Sequence, residues 1–216
     1  MFPNMLNALP KSGGWLNTTK VVLGFLELAL AFKFLSNADL VQHWGVLKIE
    51  VFLGLWIVIF AGLALYIFGK VKFPHDSPIR KLSFFRVASG ILVAAFVVYL
   101  ASGFRVNKET DTFTSLTLLS GLTPPVGYSF LKPNECPNNL DCFKDLKTGI
   151  AHAKKVNKPI ILDFTGYACV NCRKMEEHVW PLPSIDKYLR NDYVLISLYV
   201  DDKKELAESE RIEVPR

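Results

Sequence analysis

Two stretches of this chain leave little choice of fold. Val51 to Gly69 runs for 19 residues without a charge, and Val87 to Phe104 runs for 18. Each is close to the roughly 20-residue helix that crosses a bilayer core. In hydrocarbon the backbone N–H and C=O groups must find partners inside the segment, which leaves the helix as the form for a single apolar run of this length. A third run, Val21 to Leu35, carries Glu27 and Lys33 but reaches adequate length when extended to Trp15 and Ala38. The pattern predicts three transmembrane helices near 17–37, 50–69 and 84–104, within a membrane domain covering residues 1–106.

Charges in the flanks orient these spans. Lys11, Lys20, Lys70, Lys72, Arg80, Lys81 and Arg86 fall on one side, whereas Lys48, Arg105 and Lys108 fall on the other. By the positive-inside rule the N-terminus and the loop between the second and third spans face the cytoplasm, and everything after the third span lies outside. A cleaved secretory signal fits poorly, because 20 residues precede the apolar run and two more spans follow. Averaged composition hides this organisation: 50% hydrophobic and 21% charged residues would suit a soluble domain. The net charge of +5 is accounted for by the cytoplasmic loop and flanks, without the aromatic-interleaved basic stripe that single-stranded nucleic acid needs. An ionisable group within a span usually faces a bundle interior or water. Glu27 is therefore read either as part of a proton or thiol relay or as a residue of a helix interface, and Lys33 as snorkelling toward the head groups.

Residues 107–135 are rich in Thr, Ser, Pro and Gly and read as a linker, with an interfacial turn at Ser115 to Leu122. Beyond it the pattern changes to alternating helix and strand: a helix around Asp141 to Lys155, a strand Pro159 to Phe164, a helix to about Trp180, a short helix after Ser184 and a strand Tyr193 to Val200. The fold class expected is thus a membrane α-helical segment followed by an α/β domain over residues 136–216. Between the first strand and its helix stands Cys169-Val-Asn-Cys172. A thiolate at a helix N-terminus meets unpaired N–H groups and the positive end of the macrodipole, which lowers its pKa. Cys169, at the helix mouth, is the expected attacking thiol, and Cys172, one turn inside, the resolving one. Met175 and Val179 continue the Cys172 face and are expected to be buried, with Arg173, Lys174, Glu176 and Glu177 on a solvated outer face.

Cys136 and Cys142 enclose a five-residue loop with Pro137 and two Asn, and are expected to form a structural disulfide. The four cysteines could instead make a zinc site, but zinc modules pair their ligands on turns rather than between a strand and a helix. His43, His75, His152 and His178 lack metal-ligand spacing and are read as surface or interface residues. Neither a metal nor a cofactor is expected beyond the cysteine pair.

Asp163-Phe164, four residues, Cys-x-x-Cys and a basic residue resemble the active-site segment of the thioredoxin superfamily. That resemblance implies a thioredoxin fold, and it implies that Asp163, six residues before the first cysteine, lies under the dithiol and assists proton transfer at Cys172. The alternative is a strand-end acid paired with a lysine. Ala168 replaces the Trp usual before the first cysteine, so substrate contacts do not transfer. Three spans and an outward thioredoxin-like domain further resemble the C-terminal portion of the DsbD family of membrane thiol:disulfide interchange proteins, also described as cytochrome c biogenesis transmembrane proteins. Leu9 to Trp15, the basic loop and Pro159 to Lys174 carry this likeness.

The family resemblance implies an inner-membrane, multi-pass protein-disulfide reductase with its dithiol in the periplasm. Its implied partners are cytoplasmic thioredoxin as indirect donor, a membrane-embedded cysteine pair, an N-terminal periplasmic domain and periplasmic disulfide proteins. Residues 1–135 contain no cysteine, so the chain is expected to be a fragment of such a protein. Its thioredoxin-like domain is expected to be incomplete, with an unpaired sheet edge, and the fragment inactive alone. Pro215 is read as a loop residue rather than the cis-proline of the fold. Two other functions fit the residues: a tethered oxidase or isomerase, and a transporter fragment with a zinc-stabilised appendage.

Overall fold

The computed structural model describes residues 14–73, 76, 83–108 and 111–204. Lys11, His75, Arg80, Lys81 and Pro215, with the stretch 9–13, lie outside the described residues. Among the described residues three long helices come first: α1 (Gly14–Val41), α2 (Ile49–Ile67) and α3 (Phe84–Ser102). All three are long and apolar enough to cross a membrane.

α2 lies between the other two. It buries ten side chains, including Phe52, Leu53, Trp56 and Tyr66, whereas α3 buries only Gly90 and Leu100. Glycines set the spacing. A β-carbon on Gly62 would meet the Phe25 ring of α1 at 3.3 Å, and one on Gly90 would meet the Phe68 ring at 2.7 Å. Leu23, Phe34, Phe85, Leu92 and Val98 remain exposed on the outer faces of α1 and α3, which suits contact with lipid tails. Glu27 is exposed on α1. Lys33 departs from the snorkelling expectation: it is 7% exposed, and its ammonium donates to Asn37 Oδ1 at 2.7 Å, a partner one turn away that removes the need to reach the head groups.

The segment expected to be a linker is packed onto one end of this bundle instead. A two-stranded antiparallel pair, β1 (Val106–Asn107) with β2 (Thr112–Phe113), and a 3₁₀ turn at Thr117–Leu119 place Phe113, Leu116 and Leu119 in the same apolar cluster as α2. Two acids anchor the neighbouring loops. Asp39, 1% exposed, accepts the backbone N–H groups of Val46 and Leu47 at 2.9 and 3.0 Å and the Tyr128 hydroxyl at 2.6 Å. Glu50 accepts the Ser129 hydroxyl and the N–H groups of Phe130 and Leu131 at 2.9 and 3.0 Å. Composition rich in turn formers marks irregular backbone, and here a buried and a half-buried carboxylate satisfy it.

The last part is an α/β unit. Its strands β3 (Cys142–Phe143), β4 (Ile160–Thr165) and β5 (Val194–Tyr199) form a parallel sheet in the order β3-β5-β4. Helix α4 (Leu146–Val156) makes the crossover between β3 and β4 that parallel pairing requires. The Asp145 side chain caps its N-terminus and Asn157, at φ 51°, ends it in the left-handed conformation. Gly149 brings α4 onto β5, since a β-carbon there would lie 2.5 Å from Ile196 Cδ1. After β4 come α5 (Val170–Lys174), a π-helical turn (Met175–Val179) and α6 (Pro183–Asn191). Leu140, Trp180, Leu189 and Leu195 form one core, with Ala153, Val194 and Ile196 in another. Among the described residues β4 is an edge strand, with Leu162 and Phe164 48% and 66% exposed on one face. β3 escaped the sequence pattern because two residues carry no periodicity.

Candidate active site

The dithiol stands where β4 hands over to α5, and the intervening loop is fixed by one carboxylate. Asp201, just past β5, accepts the N–H groups of Tyr167 and Ala168 at 2.7 and 2.9 Å. Gly166 allows this approach, since a β-carbon there would lie 2.9 Å from the same carboxylate. Cys169 is the N-cap of α5, and its sulfur accepts the Cys172 N–H at 3.2 Å. Cys169 and Cys172 are joined in a disulfide with Cα atoms 5.3 Å apart, and both are half-buried. An N–H pointing at Sγ stabilises negative charge there once the bond is reduced, as the helix N-terminus does.

Asp163 lies half-buried on β4, in register with Ser197 of β5. Burial pushes its carboxyl above the ordinary range, while the neighbouring Ser197 hydroxyl and the Arg173 guanidinium pull the other way. The dithiol helix brings two more charges into this layer. Arg173 and Glu176, 7% and 3% exposed, pair at 2.7 Å, and the Thr165 hydroxyl donates to the other Glu176 oxygen at 3.4 Å. Burial pushes Glu176 up to about 7; Asp163 and Glu177 act in the same direction, and Arg173 and Thr165 oppose them. Tyr199, in the same layer, is also pushed up, chiefly by burial.

The expected helix faces are therefore reversed in part. Arg173 and Glu176 are buried, whereas Met175 and Val179 are 48% and 36% exposed. A π turn over Met175–Val179, closed by Trp180 N–H to the Met175 carbonyl at 3.1 Å, inserts one residue and shifts the helix register beyond Arg173. The buried face lies over Asp163, Thr165 and Tyr199, so it carries the groups that can pair with them. The i,i+3 spacing of Arg173 and Glu176 was visible in the sequence, but charges at such spacing are usually solvated. Asp201 gave no local signal.

Cys136 and Cys142 form a second disulfide, with Cα atoms 5.8 Å apart. It closes the loop that aims Asn138, whose amide donates to the Glu176 backbone carbonyl at 2.6 Å. A cavity of about 350 Å³ separates the dithiol helix from the membrane-side loops, with Arg173, Glu176, Tyr167, Lys48 and His43 in its wall. Among the described residues no group of three or more His, Cys, Asp or Glu is placed to hold a metal ion.

Residues 146–215 match the family model of a thioredoxin-like domain. Over most of its length the chain is similar to proteins named thiol:disulfide interchange protein DsbD. It is 27% identical to DsbD 1 of Pseudomonas aeruginosa over 190 residues, 84% of this chain and 28% of that protein. It is 26% identical to DsbD of Vibrio vulnificus over 196 residues, 91% of this chain and 28% of the relative. For DsbD of Escherichia coli the identity is 26% over 214 residues, 96% of this chain and 31% of the relative. The chain thus spans less than a third of the length of the curated relatives it matches.

Proposed function

We propose that this relative of the DsbD thiol:disulfide interchange proteins is the outer station of a membrane thiol relay, a protein-disulfide reductase whose working group is the Cys169–Cys172 dithiol. The observation that carries the reading is the Cys169 sulfur at the mouth of α5, bonded to Cys172 and facing its N–H. In the reduced form the Cys169 thiolate attacks one sulfur of a partner disulfide. That S–S bond breaks, a mixed disulfide forms, and the partner's other sulfur leaves as a thiolate that takes up a proton. Cys172, losing its proton, attacks Cys169, releases the partner's second thiol and restores the Cys169–Cys172 disulfide. Two electrons have then passed to the partner.

Asp163 and Glu176, whose carboxylates burial makes more basic, are the groups suited to take up the Cys172 proton. Reducing equivalents would come from cytoplasmic thioredoxin through a cysteine pair in a membrane domain. Residues 1–135 offer no cysteine for that pair. The clients would be periplasmic disulfide proteins, including an N-terminal periplasmic domain and partners in cytochrome c maturation. This assigns residues 136–216 to the periplasm and the three spans to a bacterial inner membrane. Cysteine chemistry alone suffices, without a bound cofactor.

The test is trapping in the native membrane. Cys172→Ser should accumulate a mixed disulfide through Cys169, and Cys169→Ser should abolish reduction of a disulfide substrate. A Cys172→Ser protein that traps no partner would overturn the assignment of roles.

A further inference from the structure

Contacts between the membrane module and the α/β unit converge on the loop that carries the dithiol. His43, in the turn after α1 at φ 56°, places Nε2 2.8 Å from Asp202 Oδ1. Its ring meets the Tyr167 ring edge-on at 5.0 Å, and Tyr167 in turn stacks on Tyr199 at 4.2 Å. Tyr167 and Asp202 adjoin the two ends of the clamp that Asp201 makes on the loop before Cys169. On the other side the turn at Gly121, with φ 76°, lies against the motif itself. A β-carbon on Gly121 would stand 2.6 Å from Val170 Cγ1 and 3.1 Å from Val170 Cα, so backbone meets backbone between the two cysteines.

We propose that His43 and the Gly121 turn form a docking seat that holds the Cys169–Cys172 motif against one end of the membrane module and closes it to bulky disulfide partners. Release of the His43–Asp202 contact opens it. The occupant of this surface is the chain's own α/β unit, and a soluble partner must compete with the seat for the same face of the motif. The inference rests on Cys169 being the reactive thiol. It adds that the thiol's access to proteins is set by a residue 126 positions away (169 − 43) on a membrane-side loop.

The experiment uses the whole chain, reduced and held in detergent or nanodiscs. Cys169 is alkylated either by N-ethylmaleimide or by a maleimide carrying a polyethylene glycol chain of several kilodaltons, and the modified position is identified by peptide mapping. His43→Ala should raise the rate with the bulky reagent several-fold and leave the small-reagent rate within about twofold. Asp202→Asn should do the same, and the double variant should gain no more than either single one. His43 lies outside the α/β unit, so its replacement leaves that unit's own core intact. Unchanged bulky-reagent rates, equal acceleration of both reagents, or additive effects would each overturn the seat while leaving the relay reading standing. Failure of Cys169 to react after reduction would overturn both.

Discussion

Glu176 is the residue whose protonation the fold alters most plainly. Its carboxyl moves from an ordinary 4.5 to about 7, because burial outweighs the Arg173 partner. The folded chain therefore holds a proton through a window in which the unfolded chain has lost it. Stability must fall as pH rises from about 4.5 to about 7, by at most about 3 kcal/mol from this group. Glu176→Gln, which keeps a hydrogen-bonding side chain, should flatten that decline. Amide hydrogen exchange in β5, measured at pH 5 and pH 8, should show wild-type protection dropping more than that of the variant. A parallel drop in both proteins would refute the assignment.

At the same scale, sequence and structure divide sharply. Asp163 could be singled out only by the thioredoxin resemblance, whereas the placement of Cys169 and Cys172 between a strand and a helix could be read from their local pattern. The burial of Arg173 and Glu176 could not. It depends on polar groups of the two strands beneath the helix, which leave no periodic mark in it.

Among the elements, α4 and β5 are brought together by one missing side chain. Gly149 faces Ile196, which is fully buried, and Phe143 Cβ would lie 3.2 Å from an added carbon. Gly149→Ala gains helix propensity of about 1 kcal/mol. A contact at 2.5 Å against an immobile side chain costs more, so the net expectation is a loss of about 1–3 kcal/mol. A lower urea midpoint with unchanged slope would register it; a stabilised variant would mean that α4 can lift off the sheet at no cost. The three long helices were legible from apolar run length and the strands β4 and β5 from their flanks. The turn-rich segment after α3 was not legible as packed structure, since its anchors, Asp39 and Glu50, stand in the membrane helices far back in the chain.

For the whole molecule, those anchors decide how the two halves are joined. Asp39 accepts three hydrogen bonds at 1% exposure, and Asp39→Ala would orphan two N–H groups and a hydroxyl. The expected loss is on the order of 3 kcal/mol, concentrated at the junction. Limited proteolysis should then cut between residues 120 and 135 well before it attacks the α/β unit. Cleavage that begins within α4 or β5 instead would show that the junction does not depend on this acid.

The approach of Gly121 to Val170 also has a consequence for how such chains diversify. The residue between the two cysteines and the path of the turn after α3 occupy one shared space. A bulkier residue at position 170 obliges that turn to retreat, and a side chain at position 121 obliges position 170 to shrink. The two sites, remote in sequence, should drift as a matched pair among relatives that keep this arrangement, and vary independently in those that have abandoned it.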